Sequence, residues 1–379
     1  MEIDTEKMAQ QCMDAINEKI KNLKTLNIMV IGKSGVGKST LINSVFRGNF
    51  AQTGLGRPVT SEIRKIVKKD CPLVIYDTPG FELSAGQQNK VKEQIIDIIQ
   101  KGYESKDIND AIHCIWYCVN VGGNRTFDSS ELNWLSDFTK ENKLTKVPII
   151  VILTQAFPVS KAKEMQKLVE KENLDIVKVV PVLAQDIDFD GEYVAHSYGL
   201  DKLIDIMVES LPTELQNSLQ YMQKPSVDQK VKQSQAIVAA TVAGAFGEGA
   251  TPVPFSDAAM LIPTQVGMIA GITVVFGMDV SKSFLTSFVS ATIGSAGATV
   301  LGKTIVSNLL KLIPGVGTVA GGVISGATAG LLTTALGFAY IEIMKSVYTG
   351  EIKKEDLKSK DVQEKMKNLF QSELKRNRN

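Results

Sequence analysis

Apolar residues fall along this chain in two rhythms before Leu211 and lose both after Gln233. Short apolar runs at 26–31, 63–67, 73–76, 111–119, 147–153 and 176–183 have the length of buried strands. Between them the spacing becomes helical. Val91, Ile95, Ile98 and Ile99 form one face, Leu132, Leu135 and Phe138 a second, and Leu200, Leu203, Ile204, Met207 and Leu211 a third. Strands alternating with helices predict an α/β domain with a parallel sheet over residues 24–211. Ahead of it, Met8, Cys12, Ile16, Ile20 and Leu23 recur every three or four positions, with Lys and Glu elsewhere, which predicts an amphipathic helix over 1–23 that packs against one of the domains.

The second half is built from different material. Between Gln233 and Ile341 the only charges are Glu248, Asp257, Asp279, Lys282, Lys303 and Lys311, and Leu312–Ile341 has none. Gly and Ala abound, and Gly322, Gly326 and Gly330 share a helical stripe of the kind that lets helices approach closely. This predicts an all-α, Gly/Ala-rich apolar domain over 233–345. Two readings of it stand open. Ala258–Met278, Phe284–Gly302 and Val316–Ile341 reach the roughly 20 residues of a membrane span, so 233–345 is a candidate for membrane contact. Yet Pro263, Thr264, Gln265 and Thr273 interrupt the runs, as a buried helical bundle in water would allow. Asp257 reads as the cap of a helix starting at Ala258. A charged, Pro-marked stretch, 212–232, is the candidate join. The tail, 346–379, is a charged helix with a weak stripe of Met366, Leu369, Phe370 and Leu374. From Glu351 on it carries nine Lys or Arg against six Asp or Glu.

Global charge narrows the partners. Lys plus Arg total 42 and Asp plus Glu 41, so no general electrostatic attraction to nucleic acid exists and no nucleic-acid partner is expected. Four cysteines, Cys12, Cys71, Cys114 and Cys118, have neither metal-binding nor disulfide-framework spacing. They read as reduced thiols, which points to a cytoplasmic setting, with membrane association through 233–345 as the open addition. No signal-peptide organisation is visible at the start. The second half has no His or Cys, so thiol chemistry and His-metal sites are excluded there. His113, on an apolar strand, reads as a satisfied core residue.

The chemistry lies in the first half. Gly32-Lys33-Ser34-Gly35-Val36-Gly37-Lys38-Ser39 is a complete G-x-x-x-x-G-K-S phosphate loop, with a strand before it and helical periodicity from Thr40 to Phe46 after it. A strand feeding a glycine loop that opens a helix aims backbone N–H groups at one point, where a phosphate can sit. The residues in contact with the nucleotide are then Gly32, Ser34, Gly35, Val36, Gly37, Lys38, Ser39 and Thr40. Lys38 reaches the β- and γ-phosphates and the Ser39 hydroxyl ligates Mg²⁺. Asp77, at the end of the strand 73–76, is a second group for Mg²⁺. The Gly80 N–H of Asp77-Thr78-Pro79-Gly80 can approach the γ-phosphate. Thr60, in the Gly/Pro/Thr-rich stretch 54–62, is the candidate hydroxyl that closes onto Mg²⁺ in the triphosphate state. Lys38, Thr60 and Gly80 are the candidate catalytic set, and Ser39, Thr60 and Asp77 the candidate metal set.

In order and spacing these motifs resemble the Ras-like GTPases, in particular their Era- and septin-related branch, over roughly residues 24–211. The resemblance implies a mostly parallel sheet with helices on both faces, GTP and GDP as ligands, and GTP hydrolysis. It also implies loops that order with the γ-phosphate and relax after its loss. Its guanine-reading Asn-Lys-x-Asp is here Thr154-Gln155-Ala156-Phe157, so a phenyl ring stands where the base-reading carboxylate belongs. Ala184 is the one match to the family's later Ser-Ala-Lys loop. Asp186 or Asp188 are alternatives for the missing acid. Phe81 replaces the water-positioning Gln, and Gly35 the Asn of potassium-assisted relatives, which implies slow intrinsic hydrolysis, speeded by a partner or by self-association across the nucleotide face as a homodimer. Residues 233–345, through Pro252–Asp257, Leu261–Gln265, Leu312–Gly317 and Thr333–Gly337, resemble the YcjF-type C-terminal domain, a family of unknown function often joined to such GTPases.

The sequence therefore predicts a GTP-binding switch that couples nucleotide state to a helical domain. The competing readings are a membrane scaffold or pore with a nucleotide-sensing head, and an ATP-preferring relative.

Overall fold

Residues 26–31 are followed by Gly32 and a helix because every side chain of Leu26–Ile31 is buried and the chain must leave the sheet at a glycine. This strand, β1, sits at the centre of a six-stranded sheet with β2 (Arg64–Val67), β3 (Leu73–Asp77), β4 (Cys114–Asn120), β5 (Ile149–Thr154) and β6 (Lys178–Pro181), in the order β2-β3-β1-β4-β5-β6. The strands run parallel except β2, which pairs antiparallel with β3 at the edge. The computed structural model describes residues 4–50, 63–79, 85–122, 129–141, 146–246, 261–292 and 326–376. Thr60, Gly80, Phe81 and Asp257 lie outside the described residues.

Because side chains alternate across a strand, one sheet feeds two cores. Ile28, Val30, Ile75, Cys114, Trp116, Cys118, Ile150 and Ile152 face one way. They are covered by α2 (Lys38–Val45), α6 (Leu200–Ser210) and α7 (Thr213–Met222). Met29, Ile31, Ile115, Tyr117, Val119, Val151 and Leu153 face the other way. Here α3 (Ala85–Glu104), α4 (Ser129–Glu141) and α5 (Val159–Lys171) cover them. His113 sits just before β4 as a neutral ring: its Nδ1 accepts from the Asn27 N–H at 2.9 Å and its Nε2 lies 2.7 Å from the Ile108 carbonyl oxygen. Burial pushes its pKa down, so the ring stays neutral. Cys12, Cys114 and Cys118 are free thiols pushed up to about 12 by burial.

Leu23–Ser226 form one compact unit, and Met1–Asn22 together with Val227–Asn379 form the other. The stretch 212–232 is largely helical. Leu215, Leu219 and Met222 of α7 enter the first core, and α8 begins at Val227. The second unit contains α1 (Thr5–Lys21), α8 (Val227–Phe246), α9 (Leu261–Phe276), α10 (Lys282–Thr292), α11 (Gly326–Tyr348) and α12 (Lys360–Arg376). The amphipathic face of α1, with Met8, Ala9, Cys12 and Ile16 buried, packs on α9 and α10. Tyr340 of α11 is fully buried at the centre. Its hydroxyl lies 2.7 Å from the Thr273 hydroxyl of α9, and its ring sits 4.7 Å from Phe288. Lys230 of α8 is fully buried too. Its ammonium donates to the Val275 carbonyl at the end of α9 at 2.9 Å, where the helix dipole favours a cation. Of the tail's weak stripe, Met366, Phe370 and Leu374 of α12 are buried against the unit together with Val362, while Leu369 is only half-buried.

Among the described residues no helix is long and apolar enough to cross a membrane. α9 has the apolar character of a span, but at 16 residues it is shorter than one. Its apolar positions are consumed by α1, α8 and α11. Three helices meet closely at Gly337 of α11, where an added Cβ would meet Val238 of α8 at 2.5 Å and the Met268 sulfur of α9 at 3.0 Å. Gly337→Ala is therefore expected to lower the unfolding free energy by about 1–3 kcal/mol through overpacking. Urea denaturation reads this directly, and a variant as stable as the parent would show that the three helices separate at no cost.

Candidate functional site

The carboxyl ends of β1, β3, β4, β5 and β6 carry the residues singled out in the sequence, as expected where ligands lie outside the strand ends of an α/β sheet. Gly32 leaves β1 at φ 149°, with the Cys118 carbonyl of β4 only 2.5 Å from where a Cβ would stand. No larger residue fits there. Gly35 and Gly37 have φ of 75° and 96°, and Gly37 caps α2 in the left-handed region, which is cheap only for glycine. The first helical hydrogen bond runs from the Leu41 N–H to the Gly37 carbonyl at 2.9 Å. The N–H groups of Gly37, Lys38, Ser39 and Thr40 thus head the helix with no intrahelical acceptor. No acidic residue occupies that first turn, so nothing from the helix itself competes for an anion there.

Lys38 folds back over the loop. Its ammonium donates to the Gly32 carbonyl at 2.8 Å and to the Lys33 carbonyl at 3.1 Å. Asp77 ends β3 opposite Val30 of β1. Burial raises its pKa, and the nearby charges of Lys38 and Arg64 pull it back down. One carboxylate oxygen, Oδ1, is buried with no hydrogen-bond partner among the described residues, and so is the Thr78 hydroxyl beside it. A buried anionic oxygen left open next to an ammonium and a helix N-terminus suits a hard divalent cation with oxygen ligands. Ser39 and Asp77 fit that donor set. Among the described residues no ready cluster of three or more His, Cys, Asp or Glu exists, so such a cation would rely on ligands from elsewhere, phosphate oxygens included.

Thr154, the last residue of β5, and Gln155 just after it hold the loop from the side. The buried Thr154 hydroxyl donates to the Val36 carbonyl and also lies 3.1 Å from the Val119 carbonyl. The Gln155 side-chain amide donates to the Gly35 carbonyl at 3.3 Å, and its oxygen accepts from Asn120 at 3.2 Å. Ala184, following β6, is partly buried against the first core. Of the predicted residues, Gly32 to Thr40, Asp77, Thr154 and Gln155 are brought to one edge, with Ala184 on the neighbouring strand end.

Residues 27–155 match the family described as 50S ribosome-binding GTPase, and 207–375 match a domain of unknown function, DUF697. The chain joins a Ras-like P-loop GTPase domain to a helical domain of unknown function. Its sequence is 37% identical over 90 residues to a probable GTP-binding protein EngB of Methanopyrus kandleri, covering 23% of this chain and 44% of that protein. It is 27% identical over 205 residues to human neuronal-specific septin-3, covering 45% and 55%. To GTPase Era of Halothermothrix orenii it is 27% identical over 209 residues, covering 54% and 61%. The septin GTPase domain of Chlamydomonas reinhardtii, a solved structure, aligns with a TM-score of 0.36 at 15% identity over 52% of this chain and 94% of that one. The chain spans about half the length of the curated relatives it matches.

Three features of this GTPase domain escaped the sequence reading. Lys33, inside the loop, pairs with Glu131 of α4 at 2.7 Å, and the Glu131 side chain is only 6% exposed. Only the sparse acids of α4 hinted at it. A second feature is the hairpin of β7 (Ile187–Phe189) and β8 (Tyr193–Ala195) after β6, signalled by Asp190-Gly191 between short apolar-aromatic runs. The third is a strap, Met222–Lys224, that bonds to the end of α2.

The Lys33–Glu131 pair makes the position of the loop depend on α4. Glu131→Gln is expected to lower the unfolding free energy by about 1–3 kcal/mol, because a nearly buried charge pair loses one member. Adding Lys33→Met should recover part of that loss in urea titrations. Strict additivity of the two changes would mean that the pair is not coupled.

Proposed function

We propose that this protein is a guanine-nucleotide switch that binds GTP with Mg²⁺ at Gly32–Ser39, hydrolyses it slowly to GDP and phosphate, and passes the nucleotide state to its helical unit. The observation that carries the reading is the meeting at one sheet edge of the α2 N–H groups, the Lys38 ammonium and an Asp77 oxygen with no partner among the described residues. In this reading Lys38 turns from the Gly32 and Lys33 carbonyls to phosphate oxygens, and the N–H groups of Gly35 to Thr40 take up the rest of the charge. Ser39 and Asp77, with Thr60 from the segment 51–62, would hold Mg²⁺, which when bound neutralises charge on the β- and γ-phosphates. Gly80 offers its N–H to the γ-phosphate. Phe81 has no group to orient a water, so intrinsic turnover is slow.

Coupling is supported by what grips the far end of α2. The helix starts at the phosphate loop and ends at Val45. There the Lys224 N–H donates to the Val45 carbonyl at 2.8 Å and the Arg47 N–H to the Met222 carbonyl at 3.0 Å. The Lys224 ammonium donates to the Asn43 carbonyl, and the Arg47 guanidinium lies 3.5 Å from the centre of the Tyr221 ring. Gln223, 1% exposed, is locked to Gln220 at 2.9 Å and to Ser226 at 2.8 Å. The next residue, Val227, opens α8 of the helical unit. A shift of α2 on phosphate binding is thus delivered to the root of α8, and from there to a partner or a membrane surface.

Lys38→Ala is expected to weaken GTP binding at least ~100-fold, or about 2.7 kcal/mol, while Asp77→Ala flattens the Mg²⁺ dependence of what binding remains. Calorimetric titration checks both, and normal binding by either variant places the phosphates elsewhere. For the coupling, hydrogen exchange along α8 should differ between the GTP-analogue and GDP states. Arg47→Ala with Lys224→Ala should erase that difference without abolishing nucleotide binding. An α8 that exchanges identically in both states of the parent protein removes the switch from this proposal.

A further inference from the structure

Phe157 stands two residues beyond Gln155, and its ring packs with two others from the β7–β8 hairpin. Its centroid is 5.4 Å from that of Phe189 and 6.3 Å from that of Tyr193, and the latter two are 6.0 Å apart. Large aromatic rings usually hide from water. Here Phe189 is 42% exposed and Tyr193 57% exposed. The platform is also held firmly. Asp190 and Gly191, at φ of 54° and 78°, form the tight turn that sets the two strands in register, so Phe189 faces Tyr193 across the pair. At its neck Asp186 staples the two ends: one oxygen accepts from the Ser197 N–H at 2.7 Å, the other from His196 Nδ1 at 3.0 Å. On the β5 side, the Tyr198 hydroxyl donates to the Ala156 carbonyl at 2.6 Å.

We propose that Phe157, Phe189 and Tyr193 form a stacking subsite for the base of the bound nucleotide. This rests on the reading that places the phosphates at Gly32–Ser39. The occupant follows from position. Gln155, which donates to Gly35 of the phosphate loop, is two residues from Phe157, and the hairpin leaves the sheet just after β6, next to β5. A nucleotide with its phosphates at the β1 end has its base to place at this same end of the sheet, where the loops after β5 and β6 carry the three rings. Every base has a π-face, so stacking accepts purines without reading their polar groups. Asp186 is engaged in the neck, where each of its oxygens accepts one hydrogen bond. Its carboxyl is held down at about 2, first by the Ser197 N–H and then by His196. It stays ionised, and the staple stays closed, throughout the neutral range. The ligand class is a purine nucleoside triphosphate whose base contributes affinity through ring contact.

The test compares GTP, ATP and inorganic tripolyphosphate, each with Mg²⁺, on the full chain and on Phe189→Ala with Tyr193→Ala. Stacking predicts that the double variant loses about 5- to 100-fold in affinity for both nucleotides. Tripolyphosphate binding should be unchanged, and Tyr193→Trp should keep nucleotide affinity. The unchanged tripolyphosphate affinity also certifies that the variant is folded at the phosphate loop. Nucleotide affinities equal to the parent's overturn the subsite. If those equal affinities come with lost self-association in sedimentation, the rings contact a second copy of the chain instead. A parent protein that binds tripolyphosphate as tightly as GTP overturns the subsite and leaves the phosphate site standing. A parent that binds none of the three removes the phosphate site and this subsite with it.

Discussion

The phosphate loop has no hydrogen-bond ladder of its own, so its shape is imposed from outside. Three neighbours impose it. The Cys118 carbonyl of β4 presses on Gly32 and admits no side chain. The Thr154 hydroxyl of β5 and the Gln155 amide just after it hold the carbonyls of Val36 and Gly35. Glu131 of α4 holds Lys33. Each restraint comes from a different element, and those elements are fixed only because the sheet is buried on both faces. Preorganised N–H groups cost nothing to orient when an anion arrives, which is how a surface loop becomes a strong site. The core is thus the distant cause of the chemistry.

The Lys38 carbonyl contacts carry the same logic. An ammonium and a helix N-terminus at one point repel each other unless something anionic or dipolar stands between them. Here backbone carbonyls of Gly32 and Lys33 do so. They are interchangeable with phosphate oxygens, which are stronger acceptors of a charged donor. An ammonium held only by carbonyls of its own loop is thus already placed where a stronger acceptor would draw it.

Most of this was legible in the sequence, for identifiable reasons. Strands β1 and β3 are short, largely buried apolar runs, so their limits fall within a residue of the apolar pattern, while β5 starts two residues after its run begins. The phosphate loop is readable because three of its glycines answer steric demands that no other residue meets. The exchange of Phe157 for an acid was visible as a letter, yet its consequence was not. The rings it meets lie 32 and 36 residues later, and no periodicity links them. The strap was hidden for a similar reason. A charged, Pro-marked stretch reads as a join because several of its contacts with α2 are made by backbone groups, which carry no sequence signal. The apolar second half was ambiguous because a fully enclosed helix and a membrane helix share a composition. The 16-residue length of α9 and the helices packed on it are features that composition does not record.

The order of the chain adds a last constraint. The helical unit takes its first helix from before the GTPase domain and the rest from after it, so that domain is an insertion between α1 and α8. Insertion is tolerated when the two ends of the inserted domain lie together. Within the GTPase domain they do: the Ser218 hydroxyl of α7 donates to the Lys24 carbonyl, next to the point where the chain enters. Entry and exit are thus bound to each other and, through the strap, to α2.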